Sequence, residues 1–162
     1  MNKEFQVAIR AITIAAIILQ VLFVGLAIVW PMIAPEQNTF WNSLLVGLNL
    51  FLLWLVVTST LRSINRIVPG VNGGLLLMSG LGIGVLSLML QYGIFYMLKM
   101  TKNTDLVQAP KQDELFFFMG ICFVVSFLAM IKLKVKSNFW GNVLEVLFIG
   151  ALAFFFFYYW VK

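Results

Sequence analysis

Glu145 is the one charged side chain that lies well inside a long apolar stretch of this sequence. Asn142 precedes it by three residues, so the two side chains share a face if the stretch is helical. Asn49 and Gln91 place amide groups in two further apolar stretches. A carboxylate in such a setting is a group that carries protons or binds a cation. Glu145, Asn142, Asn49 and Gln91 are therefore our candidate intramembrane polar site.

The same four residues also have a purely structural interpretation. Amides in apolar helices hydrogen-bond neighbouring helices, and each such bond is worth about 0.6 kcal/mol on average. Glu145 follows Asn138 by seven residues, which is roughly 10 Å along a helix. That is close enough for its carboxylate to pair with a lysine or arginine at the membrane surface. Both interpretations stay open from the sequence alone.

Residue types that catalyse reactions or hold metals are scarce in this chain. Histidine is absent and Cys122 is the only cysteine, so neither an internal disulfide nor a cysteine–histidine metal site can form. The sequence contains no phosphate-binding loop and no dinucleotide fingerprint. Serine and threonine residues have no histidine to activate them. We expect no enzymatic activity, no cofactor and no metal.

The composition indicates whether water or lipid surrounds the helices that carry these side chains. Of the 162 residues, 62% are hydrophobic and 10% are charged, and the mean hydropathy is +1.02. A water-soluble domain of this length cannot hide so much apolar surface, so lipid is the expected solvent. We predict an all-α, polytopic integral membrane protein with a single transmembrane domain over residues 1–162.

Five long apolar runs predict five transmembrane helices. Their approximate ranges are 11–33, 41–61, 73–98, 115–131 and 139–161. A helix needs about 20 residues to cross a bilayer, and the fourth run is near the short end of that range. We therefore predict a five-helix bundle, with four spans plus a short re-entrant or interfacial helix as the alternative.

The third run carries small residues at regular spacing. Gly73, Gly80, Gly84 and Ser87 are separated by seven, four and three residues, so they form one narrow stripe on a helix. Small residues four apart let the backbones of two membrane helices come close. This stripe is the predicted packing face, and we expect the third helix to lie at the centre of the bundle.

Basic residues beside the spans predict the orientation. With the N-terminus inside, seven lysines and arginines fall on the inner side and four on the outer side, which is the asymmetry expected of cytoplasmic loops. The net charge of +5 is attributed to this bias and not to nucleic-acid binding. We predict a multi-pass protein of a bacterial-type inner membrane, with a cytoplasmic N-terminus and an external C-terminus.

Short loops and apolar helices favour a protein that works by contact with other membrane components. We predict a small non-enzymatic integral membrane protein that is a subunit or accessory factor of a larger complex. Its expected partners are the lipid bilayer and either other membrane subunits or further copies of itself, with no nucleic acid. The alternative is a small oligomeric transporter or channel for protons, cations or a small solute. A lipid-modifying enzyme is a third possibility, but the sequence offers it no catalytic set.

Overall fold

The computed structural model of this chain describes residues 3–33, 39–100, 112–134, 139–143, 146–148 and 150–151. In these residues all regular structure is helical, with no strand, which confirms the predicted all-α class. Four long helices are present: α1 (Lys3–Ile33), α2 (Thr39–Ile67), α3 (Gly73–Met100) and α4 (Gln112–Lys134). The described residues between 139 and 151 are also helical. Much of the predicted fifth helix, 139–161, lies outside the described residues.

All four long helices are long and apolar enough to cross a membrane. The shortest, α4, has 23 residues and measures roughly 35 Å at 1.5 Å per residue, against a hydrocarbon core of about 30 Å. It is one continuous helix, without a break at which the chain would turn back.

Two helix ends differ from the sequence prediction. Helix α1 begins at Lys3 and not at residue 11, and α2 continues to Ile67 beyond the predicted end at residue 61. The polar residues that follow the predicted end, Arg62, Ser63, Asn65 and Arg66, occupy the last turns of α2. The helix continues because Leu61 and Ile64 are fully buried and keep its apolar face in contact with the core, while the arginines point outward.

The four helices form a bundle in which each has two main neighbours. Helix α3 packs most extensively against α1 and α4, and α2 packs against α1 and α4 in turn. The order around the bundle is therefore α1, α2, α4, α3. Fully buried aliphatic side chains from all four helices fill the core, including Leu19, Leu53, Leu76, Ile83 and Val125.

A tight turn of residues 68–72 joins α2 to α3. The Val71 amide donates to the Val68 carbonyl at 3.2 Å, and Gly70 has a φ of 86°. Pro69 before a glycine with positive φ is the pattern of a type II turn. Asn72 then caps α3, since its side-chain oxygen accepts the Gly74 amide at 3.0 Å.

Lys134, at the end of α4, links this turn to α4. Its ammonium donates a hydrogen bond to the carbonyl of Val71, a residue that is fully buried. The α2–α3 turn and the C-terminal end of α4 therefore lie at the same end of the molecule. The opposite end is closed by aromatic contact, with the Trp30 and Trp41 rings 6.0 Å apart and edge to face.

Replacing Gly70 by alanine should lower the free energy of unfolding by about 1–2 kcal/mol, because a Cβ disfavours left-handed backbone. No neighbouring atom lies within 4 Å of the added carbon, so the backbone conformation alone would cause the loss. Gly25→Ala is the matched control, as that site in α1 is equally open but helical, and alanine there should add about 0.5–1 kcal/mol. Unfolding in mild detergent by added denaturing detergent, followed by circular dichroism, measures both. Equal stability of the two variants would contradict the assigned turn.

Candidate functional site

The predicted polar residues do not form one cluster in the described structure. Asn49 in α2 and Gln91 in α3 are half-buried, whereas Asn142 is exposed. Glu145 lies outside the described residues. Gly141, next to Asn142, packs against Lys132 near the end of α4. Gln91 lies seven residues after Gly84 on α3, which places it level with the start of α4. Asn142 and Gln91 are therefore separated by roughly 25 Å along the bundle, at 1.5 Å per residue.

A different amide makes the polar contact between helices. The Gln20 side-chain NH₂ group in α1 donates to the Ser87 carbonyl in α3 at 2.9 Å, and both residues are buried. Ser87 was predicted as a packing residue, whereas Gln20 was not among the candidates for the polar site. The signal that could have found it is an amide with apolar residues on both sides in the first run. The Ser87 hydroxyl has no hydrogen-bond partner in the described part of the chain.

Five other hydroxyl groups in the four helices are satisfied within their own helix. They donate to the carbonyl four residues earlier: Thr13 to Ile9, Thr58 to Trp54, Thr60 to Val56, Ser79 to Leu75 and Ser126 to Cys122. This local bonding removes the cost of an unpaired hydroxyl in an apolar setting. These groups therefore contribute little to bonding between helices.

The glycine stripe of α3 lies against α4. A Cβ added at Gly80 would fall 1.7 Å from the Ser126 hydroxyl oxygen and 2.5 Å from its Cβ. At Gly84 it would fall 2.8 Å from the Cys122 sulfur, and at Gly73 3.1 Å from the Met130 sulfur. Distances under 3.0 Å are shorter than carbon contacts allow, so Gly80 and Gly84 permit an approach that alanine would prevent. Gly73 touches only the end of a flexible side chain.

Helix α3 also carries a glycine on the side that faces α1. A Cβ at Gly82 would lie 3.3 Å from the Ile12 side chain. Gly93, in contrast, has no neighbouring atom within 4 Å of the corresponding position. Small residues on two sides of α3 thus contact two different helices, consistent with its extensive packing.

A groove of about 610 Å³ runs along the outside of α1 and α2, and we call it the α1–α2 groove. Because the two helices are antiparallel, its lining changes along its length. Val7 and Ile67 line the end near the start of α1, Arg10 and Ser63 lie about one turn further in, and Ile18 and Leu55 line the other end. Arg10, Ser59 and Ser63 are exposed, and Arg10 makes no ion pair with any described side chain. The groove therefore carries its arginine toward the start of α1 and is apolar toward Ile18 and Leu55.

The start of α1 and the ends of α2 and α4 together form a basic end of the molecule. Its described basic residues are Lys3, Arg10, Arg62, Arg66, Lys132 and Lys134, and Glu4 is the acidic residue among them. The α1–α2 groove opens at this end. An anion that approached the groove would therefore meet a net positive charge.

Comparison with protein-family models, curated proteins and solved structures finds no match to this chain. Among the described residues, no three His, Cys, Asp or Glu side chains are placed to hold a metal ion.

Gly80→Ala should lower the free energy of unfolding by about 1–3 kcal/mol, as expected for an overpacked contact. Adding Ser126→Gly removes both clashing side-chain atoms and leaves the Ser126 Cα at 3.5 Å, an ordinary contact distance. The double variant should therefore lose less stability than the sum of the two single changes. Gly93→Ala, at an open position, is the control and should not be destabilised. A double-mutant cycle on detergent-solubilised protein measures the coupling.

Larger substitutions extend this test to folded yield. Gly80→Leu and Gly84→Leu should each reduce the amount of folded protein recovered, because leucine would hold α3 and α4 apart. Gly93→Leu should have a milder effect. Unchanged thermal stability of both Gly80→Leu and Gly84→Leu would exclude a close α3–α4 contact.

Proposed function

We propose that this chain is an integral membrane protein of five transmembrane helices that serves as a non-enzymatic subunit or accessory factor of a larger membrane complex. The observation that carries the proposal is that apolar side chains lie both inside the bundle and on its outer surface. Aliphatic side chains fill the interior of the four described helices. Large apolar side chains also cover much of their exterior. Such a molecule offers other proteins its lateral faces, which point into the lipid.

Several of these faces are broad enough for another helix to pack on them. On α1, Ile14, Ile17 and Val21 are 59%, 50% and 66% exposed, and they lie on one side of the helix at spacings of three and four. In a bilayer such a face contacts acyl chains or a partner helix at similar hydrophobic free energy, so shape decides between the two. We propose that at least one lateral face binds a partner subunit.

Site-directed crosslinking after mild extraction would test this proposal. Cys122 is buried, so new cysteines at exposed positions on different helices would report separate faces. Val21, Met89 and Phe116 are suitable because they are 66%, 65% and 72% exposed on α1, α3 and α4. We expect a partner of fixed stoichiometry to co-purify and to crosslink from one of these faces only. A particle containing this chain alone, with no crosslinked partner from any position, would contradict the subunit proposal.

A second candidate function is transport of protons, cations or a small solute by an oligomer. The observation that favours it is the polar track on α3, where the buried and unpartnered Ser87 hydroxyl lies beside the Gln20 contact and one turn from Gln91. We propose that Asn49 and Asn142 would add amides to such a path and that Glu145 would supply the ionisable group of the path. Glu145→Gln in reconstituted liposomes should then abolish flux without loss of folding. Flux that is absent in wild-type protein, or insensitive to this change, would remove the transport function.

The proposed topology has the N-terminus in the cytoplasm and the C-terminus outside, in a bacterial-type inner membrane. The basic end would then be the cytoplasmic one. Reporter fusions at Val68, in the α2–α3 turn, and after Asp105, which lies outside the described residues, test this arrangement. The first should report the cytoplasmic side and the second the external side. Both reporters on one side would contradict the five-span arrangement.

A further inference from the structure

We propose that the α1–α2 groove is a binding site for one anionic phospholipid, with an acyl chain in the groove and the phosphate held by Arg10. The inference rests on the proposed membrane insertion and goes beyond the proposed function. It assigns a ligand of stated chemistry to a surface that the candidate polar site does not include.

The order of side chains along the groove matches the order of parts in a phospholipid. Arg10 and the exposed hydroxyl of Ser63 lie toward the basic end, where a headgroup would be. Ile18 and Leu55 line the other end, where an acyl chain would lie. An arginine guanidinium donates paired hydrogen bonds to phosphate oxygens, and serine hydroxyls can add further donors. Arg10 has no carboxylate partner in the described residues, so it can take a phosphate as counter-ion.

The dimensions of the groove fit one leaflet. Its α1 lining runs from Val7 to Ile18, roughly 16 Å at 1.5 Å per residue, and half of a hydrocarbon core is about 15 Å. The volume of about 610 Å³ falls within the roughly 300–1,000 Å³ typical of small-ligand sites. With the phosphate at Arg10, the lining from Arg10 to Ile18 leaves roughly 12 Å for an acyl chain at 1.5 Å per residue, most of the depth of one leaflet.

The charges favour a lipid over a second copy of this chain. A parallel copy packed in the groove would bring its own Lys3, Arg10 and Arg66 toward the same positive end, and like charges would oppose the contact. An anionic headgroup instead complements that charge, and basic pockets between transmembrane helices are known settings for such headgroups. Thr60 donates to the Val56 carbonyl of its own helix, so Arg10, Ser59 and Ser63 are the polar groups proposed to meet the lipid.

Lipid retention by the purified full-length chain tests the site. Protein reconstituted in vesicles of equal amounts of phosphatidylcholine and phosphatidylglycerol would be extracted in mild detergent, and retained lipids would be counted by mass spectrometry. We expect the wild type to enrich phosphatidylglycerol. Arg10→Gln should lower that enrichment roughly tenfold, as expected from the loss of one charge-assisted contact, and Arg10→Lys should retain part of it.

Two further variants separate the groove from general surface charge. Arg66→Gln removes an exposed arginine at the same end that does not line the groove, and it should leave the enrichment unchanged. Ser59→Leu fills the groove at an exposed position and should lower the phosphatidylglycerol retained per protein. Circular dichroism and gel filtration would check that each variant keeps its fold and its mass.

Four outcomes would overturn the proposal. Equal loss of enrichment in Arg10→Gln and Arg66→Gln would assign it to surface charge alone. Retention of both lipids without preference in the wild type would exclude an anionic site while leaving membrane insertion intact. A change of oligomeric mass in Ser59→Leu, with lipid retention unaltered, would identify a second copy as the occupant. Retention of neither lipid would exclude the site, whereas failure of the chain to float with the vesicles before extraction would defeat membrane insertion.

Discussion

The close approach of α3 and α4 is the constraint on which the rest of this bundle depends. Gly80 and Gly84 lack the Cβ atoms that would collide with Ser126 and Cys122, so the two helices pack at short distance. Between helices in lipid, hydrophobic burial gives little net gain, and such shape-matched contact is a main source of affinity. On a side of α3 that does not contact α4, Gly82 and the Ser87 carbonyl meet α1. One helix thereby fixes the position of two neighbours.

The two ends of the bundle are held by different physical means. At the basic end, the Lys134 ammonium binds the Val71 carbonyl and links the α2–α3 turn to α4. At the other end, Trp30 and Trp41 pack edge to face across the α1–α2 connection. The first contact is electrostatic and suits a wet surface, while the second uses amphipathic rings that favour a membrane interface. The proposed lipid site lies at the electrostatic end, where a charged headgroup finds its complement.

Hydropathy and small-residue spacing predicted most of the fold. The all-α class and four long apolar helices followed from runs of apolar residues, because lipid leaves few alternatives for a backbone that must bond internally. The ends of α2 were harder to predict, since Arg62 and Arg66 resemble turn residues until Ile64 is seen to be buried. The Gln20–Ser87 bond was missed because its acceptor is a backbone carbonyl, which side-chain patterns do not reveal. The α1–α2 groove depends on the register of two helices, and no local pattern specifies it.

The position of α4 in the bundle has a consequence for biogenesis. In a chain that enters the membrane helix by helix as it is synthesised, α1, α2 and α3 leave the ribosome before α4. Until α4 arrives, the Gly80 and Gly84 surface of α3 must face acyl chains, which cannot fill such a narrow concavity as well as Ser126 and Cys122 do. Arrival of α4 therefore completes the packing of the four helices. Lys134 then binds the α2–α3 turn, which is synthesised earlier. A chain stopped before residue 112 would expose this surface permanently.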